Sequence, residues 1–146
     1  MKYIFLQSDK EKNWLELDNN NYAYRQIILD KNDVFHISCK EDCLAEGEIN
    51  ECDLEGNITY LSAKEFNDIW KHVLKKYMKQ WEETKNKYHI GTYIKCIHDY
   101  VYPQGIIVRG KDFIAAYLGN EEFCIGKIVQ YKVIAYDEIN MWLIVK

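Results

Sequence analysis

The stretch Gly126-Lys-Ile-Val-Gln-Tyr-Lys-Val-Ile-Ala-Tyr-Asp137, followed by Met141-Trp-Leu-Ile-Val-Lys146, decides the fold of this chain. A glycine enters a strand, Val129 and Val133 stand four residues apart, Asp137 turns the chain, and a short apolar run closes it. Even spacing of apolar residues is the mark of a strand with one buried face. Working back from this pair, Thr92–His98, Gln104–Val108 and Phe113–Leu118 read as three further strands before Lys127–Tyr136 and Ile139–Val145. The turns between them are short: Tyr102-Pro103, Arg109-Gly110-Lys111 and Gly119-Asn120. Five strands so connected are enough to close a small barrel.

Upstream of the barrel, the chain alternates short apolar runs with Asn- and Asp-rich turns, residues that favour turn geometry. Tyr3–Gln7, Trp14–Leu17, Tyr22–Leu29, Val34–Ser38 and Ile58–Leu61 are expected strands. Asp30-Lys-Asn-Asp33 should make a hairpin of the middle pair, and Cys39–Cys52 reads as acidic and irregular. One helix follows. Ser62-Ala-Lys-Glu65 is a capping box, in which serine and glutamate each satisfy a free backbone N–H at the helix start. Phe66, Ile69, Trp70, Val73, Leu74, Tyr77, Met78 and Trp81 then recur at helical spacing to about Lys85 and form one apolar stripe. The expected class is α+β and β-rich. Residues 1–87 form a small antiparallel sheet with one long amphipathic helix, and residues 88–146 form the barrel.

The tail from about residue 90 to 146 resembles S1 domains, RNA-binding barrels of the OB-fold type. The resemblance rests on Gly91, Ile94, Cys96 and His98 in the first strand, Gly105-Ile-Ile-Val108 in the second, and the Gly126–Lys146 pattern. It implies a five-stranded S1/OB-like barrel and a face where single-stranded RNA stacks on exposed aromatics. The candidate nucleic-acid-binding residues are Tyr93, Lys95, Arg109, Lys111, Phe113 and Tyr117. At the position where the family carries an aromatic on strand two, this chain has Ile107, which cannot stack a base.

The net charge is −4, and all of the excess lies in residues 1–87. Such a chain has no global attraction for phosphate backbones. A cationic helix face (Lys64, Lys71, Lys75, Lys76, Lys79, with His72) is the one concentrated basic patch, and it reads as a solvated surface. His36, Cys39, Cys43 and Cys52 are the residues that metal chemistry would need, but they lack the tight paired-cysteine spacing of structural zinc. No nucleophile elbow or phosphate loop is present, so the chain is expected to be no enzyme and to need no cofactor. Five cysteines, no signal peptide and no membrane-length apolar run point to a reduced cytoplasmic protein. The expected function is non-catalytic binding, of single-stranded RNA through the barrel. The alternative is a protein-binding module, such as a toxin-neutralising immunity-type protein that uses its acidic front half.

Overall fold

The computed structural model describes all 146 residues. The chain forms two compact units, Met1–Lys76 and Tyr77–Lys146. The first holds strands β1 (Lys2–Gln7), β2 (Lys12–Leu17), β3 (Ala23–Leu29), β4 (Phe35–Ile37) and β5 (Asn57–Leu61), and helix α1 (Ala63–Leu74). A 3-10 turn over Lys75–Tyr77 leads into α2 (Met78–Lys87). The barrel strands are β6 (Tyr93–Tyr102), β7 (Gly105–Arg109), β8 (Ile114–Tyr117), β9 (Ile128–Asp137) and β10 (Trp142–Val145). The sequence places the division at 87/88. The compact units meet at 76/77, and α2 packs with the barrel: the Trp81 indole donates to Glu138 at 2.7 Å, and the Tyr136 hydroxyl donates to the Tyr88 carbonyl at 2.8 Å.

In the first unit the sheet is antiparallel, in the order β4-β3-β2-β1-β5. Directly opposed residues share a face, so the register sorts the side chains. Glu16 opposes Arg25 and Tyr3, and Trp14 opposes Phe5 and Ile27. This face carries α1: the Tyr3 ring meets Phe66, and the Arg25 guanidinium lies 4.9 Å from the ring centres of both Phe66 and Trp70. The opposite face carries Ile4, Leu15 and Gln26, and the irregular segment after β4 covers it. There Gln26 accepts from the Ala45 N–H at 2.8 Å and donates to Asn13 at 2.9 Å. The capping box of α1 forms as the sequence requires, with the Ser62 hydroxyl accepting from Glu65 N–H and the Glu65 carboxylate accepting from Ser62 N–H.

The second unit is a closed barrel of order β10-β8-β7-β6-β9, antiparallel throughout except for the parallel β8–β10 pair. Closure removes the unpaired strand edges that an open sheet exposes. This mixed five-stranded order is compatible with an OB-like fold. Most barrel strand ends shift by one residue from expectation, and two shift further. β6 runs past His98 to Tyr102, because a bulge between His98 and Tyr100 re-registers it on β7. Phe113 sits in the turn before β8, and Ile139 in the turn before β10. No helix is long and apolar enough to cross a membrane.

Candidate functional site

The first half of β6 alternates cleanly. Ile94, Cys96 and His98 are buried in the barrel, while Tyr93, Lys95 and Ile97 face out. β9 pairs with this half of β6, matching Tyr93 to Lys132, Lys95 to Gln130 and Ile97 to Ile128. The outer surface of the ladder is therefore a block of alternating apolar and polar side chains. Tyr93 is 63% exposed and Ile128 60%, and the block continues along β9 to Ile134. The Lys95 and Lys132 ammonium groups stand on it without ion-pair partners. The β8–β9 connection adds Phe123 and Ile125, the latter 76% exposed.

Register shows what the other expected face has become. Val108 opposes His98, so it points inward, and Ile107 next to it points outward with Tyr100 and Ala116. Ile107 and Ala116 are nonetheless buried, as are the outward rings of Tyr100, Tyr102 and Trp142, which touch one another. The strand-two face expected to stack bases is therefore buried.

The six candidate nucleic-acid residues do not converge. Tyr93 and Lys95 lie together on the outer β6 face, and Lys111 is exposed in the β7–β8 turn. Arg109 is half-buried, ion-paired to Asp99, with its guanidinium 5.8 Å from the Tyr100 ring centre. Phe113 is buried over Gly110 and packs edge-on against Tyr88 at 4.9 Å. Tyr117 opposes Ile106 and points into the barrel, where its ring stacks on Tyr131 at 4.3 Å. Neither ring presents a face to a base. For Tyr117 the reason is volume: the inward Ala115 on β8 fills little of the interior, and the Tyr117 and Tyr131 rings occupy space there.

Sequence reading passed over the outward isoleucines. The signal was there: in Tyr93-Ile-Lys-Cys-Ile-His98, period two puts Ile97 on the same side as Lys95. It also passed over a polar chain at the barrel mouth formed by His98, Tyr131 and Glu121, residues separated by up to 33 positions in the chain.

The His36 and cysteine set is dispersed. The His36 ring is held by Asp30 at 2.8 Å on one nitrogen and by Glu41 at 2.8 Å on the other. Cys39 is buried and Cys52 exposed. Burial, then the Glu41 and Asp42 carboxylates, push the Cys43 thiol up to about 12. Burial alone pushes Cys96 up to about 11. Both are thiols at neutral pH, and the thiolate is the nucleophile and metal ligand. No three His, Cys, Asp or Glu side chains converge as a metal site. On the basic helix face, Lys64 pairs with Asp68; further along, Lys85 pairs with Glu138 and Lys87 with Asp112.

No family model matches the chain, and a search of curated proteins found no match.

Proposed function

We propose that this chain is a non-catalytic binding protein that engages a protein partner through the outer β6–β9 face of its barrel. The observation that carries this reading is the opposed, solvent-facing pair Ile97–Ile128, continued by Tyr93 and Ile134 and flanked by the unpaired Lys95 and Lys132. Exposed apolar side chains interleaved with polar ones suit a protein-binding surface. Single-stranded nucleic acid instead needs several exposed rings and a cationic track. The barrel's buried Phe113 and Tyr117 and its ion-paired Arg109 weaken that alternative. Only Tyr93, beside Lys95 and Lys132, favours it. Toxin neutralisation, the role suggested by the acidic front half, is one form that protein binding could take.

Two measurements test the reading. Ile97→Asp and Ile128→Asp, on exposed positions, should change folding stability by no more than about 0.5 kcal/mol. They should abolish co-purification of a partner that the unaltered protein retains at stoichiometric yield. Fluorescence anisotropy of labelled single-stranded RNA at low and high salt should show no salt-sensitive binding. RNA binding that weakens with salt and is lost in Tyr93→Ala and Lys95→Ala would overturn the protein reading in favour of RNA.

A further inference from the structure

The connection from Leu118 to Lys127 contains no regular element, yet it is tied to the barrel by a directed chain of hydrogen bonds. The Cys124 N–H donates to His98 Nδ1 at 3.2 Å. A ring nitrogen that accepts carries no proton, so in the neutral imidazole the proton sits on Nε2. Nε2 lies 2.9 Å from the Tyr131 hydroxyl oxygen and donates to it. The Tyr131 hydroxyl then donates to Glu121 Oε2 at 2.8 Å, which Lys127 Nζ approaches at 3.4 Å. Donor and acceptor roles run one way from the Cys124 amide to the Glu121 carboxylate. Further ties hold the same segment. Glu121 N–H donates to the Tyr117 hydroxyl at 3.2 Å, Gly126 N–H donates to the His98 carbonyl at 2.9 Å, and the Phe123 ring lies parallel to the imidazole at 6.0 Å. His98 itself is 1% exposed.

We propose that His98 is a proton-operated latch: neutral, it clamps the Leu118–Lys127 segment across the barrel mouth, and protonated, it releases that segment. A second ring proton would sit on Nδ1, pointing at the Cys124 N–H. A donor would then face a donor, and a cation would be buried in a site built for a neutral ring. The titratable groups around the ring are few. Glu121 favours the charged form and Lys127 opposes it, while burial raises the Tyr131 and Cys96 pKa values, so both stay neutral near pH 7. Desolvation is the largest influence, followed by Lys127, and both depress the His98 pKa below its ordinary value. The sign follows from linkage. The clamped state binds the proton less well than the released one, so the clamp is complete above about pH 6.5 and weakens as pH falls below it. Release would shift Phe123 and Ile125, in the connection that leads into β9. A consequence for partner binding rests on the reading proposed above, whereas the latch itself does not.

The test uses the isolated full chain and amide NMR between about pH 8 and about pH 5. The expected result is that the His98 ring and the Glu121 and Cys124 amides titrate with one midpoint below about 6.5, while β1 and β2 amides do not follow. Below that pH the opening constant of the Cys124 amide, corrected for intrinsic exchange, should rise about tenfold per pH unit until His98 is protonated in the clamped state too. In His98→Gln, whose side-chain amide can accept from Cys124 and donate to Tyr131, the segment should stay ordered and lose this pH response. Segment amides that are unchanged across the range, or that titrate with a midpoint different from the His98 ring, would overturn the latch using unaltered protein alone. Failure of the partner experiments with a titrating segment would overturn only the binding face.

Discussion

The sheet unit and the barrel each bury a polar cluster that ties one element to another, and these two are built on opposite principles. Between sheet and helix, Arg25 forks onto Glu16 at 2.7 and 2.9 Å, donates to Asn67 at 2.9 Å, and lies 4.9 Å from the centres of both the Phe66 and Trp70 rings. Both charges are almost fully buried, and Arg25 Nη1 has no partner. In the barrel, His98, Tyr131 and the exposed Glu121 form a hydrogen-bonded chain whose buried members are neutral. An ion pair cannot lose one member cheaply, because the survivor is a buried charge. A neutral chain loses one hydrogen bond at a time. The first arrangement fixes a helix on a sheet; the second holds a segment that can let go.

The sharpest way to break this contrast is to remove one charge. Glu16→Ala strands Arg25 beneath α1 and should cost about 3–5 kcal/mol in urea unfolding. Replacing both residues with apolar ones of similar volume (Glu16→Leu with Arg25→Met) should restore most of that loss. If the single and double variants are equally unstable, the cluster is held by packing of the Arg25 stem and not by charge. The corresponding cut in the barrel is Tyr131→Phe, which keeps the ring stacked on Tyr117 and deletes the hydroxyl between His98 and Glu121. It should cost about 1–3 kcal/mol, less than the loss of Glu16. Gly119→Ala probes the same place sterically. A Cβ there would meet the Tyr117 hydroxyl at 2.0 Å, so the segment or the ring must shift. Amide shifts confined to residues near 117–127 and Tyr131 would show that the disturbance stays at the barrel mouth.

The same division governs what could be read from the sequence. The helix was legible to its cap, because Ser62 and Glu65 act three residues apart and the stripe from Phe66 to Trp81 is periodic. The barrel was legible as five strands, because β6 and β9 alternate while β7, β8 and β10 are short apolar runs bounded by turns. What escaped is long-range or breaks period. The bulge between His98 and Tyr100 carries β6 four residues past its expected end. Phe113 and Tyr117 look exposed in a linear reading because aromatics enrich both cores and interfaces. Only barrel closure shows that Tyr117 meets Tyr131 inside and that Phe113 folds back on Tyr88. The partners of His98 lie on a loop and on a strand that pairs with β6 from the far side, and no local pattern announces them. The Arg25–Glu16 pair was hidden for a related reason: on adjacent strands the two charges look like ordinary outward polar positions until α1 covers that face.

The two histidines held by side chains sharpen the comparison with the smallest expected effect, since they should answer pH with opposite signs. His36, in the sheet unit, has Asp30 on Nε2 and Glu41 on Nδ1, so both nitrogens need protons and the ring is stabilised as a cation. The hydrogen bond that the ring donates to Asp30, then that to Glu41, raises its pKa. A raised value means that the folded state holds the proton more tightly. His36 therefore stabilises fully below about pH 6.5, and the contribution disappears as pH rises through the higher folded value. His98, with its pKa depressed chiefly by burial, stabilises fully above about pH 6.5 and loses that contribution on acidification. Unfolding midpoints measured at about pH 5.5 and about pH 8.5 separate the two. The deficit of His36→Gln should be larger at the acid pH, and that of Tyr131→Phe, which weakens only the neutral chain, larger at the basic pH. Deficits of equal size at both pH values would mean that each side chain contributes through packing. The contrast between a charged clamp on an open sheet and a neutral latch on a closed barrel would then rest on Arg25 and Glu16 alone.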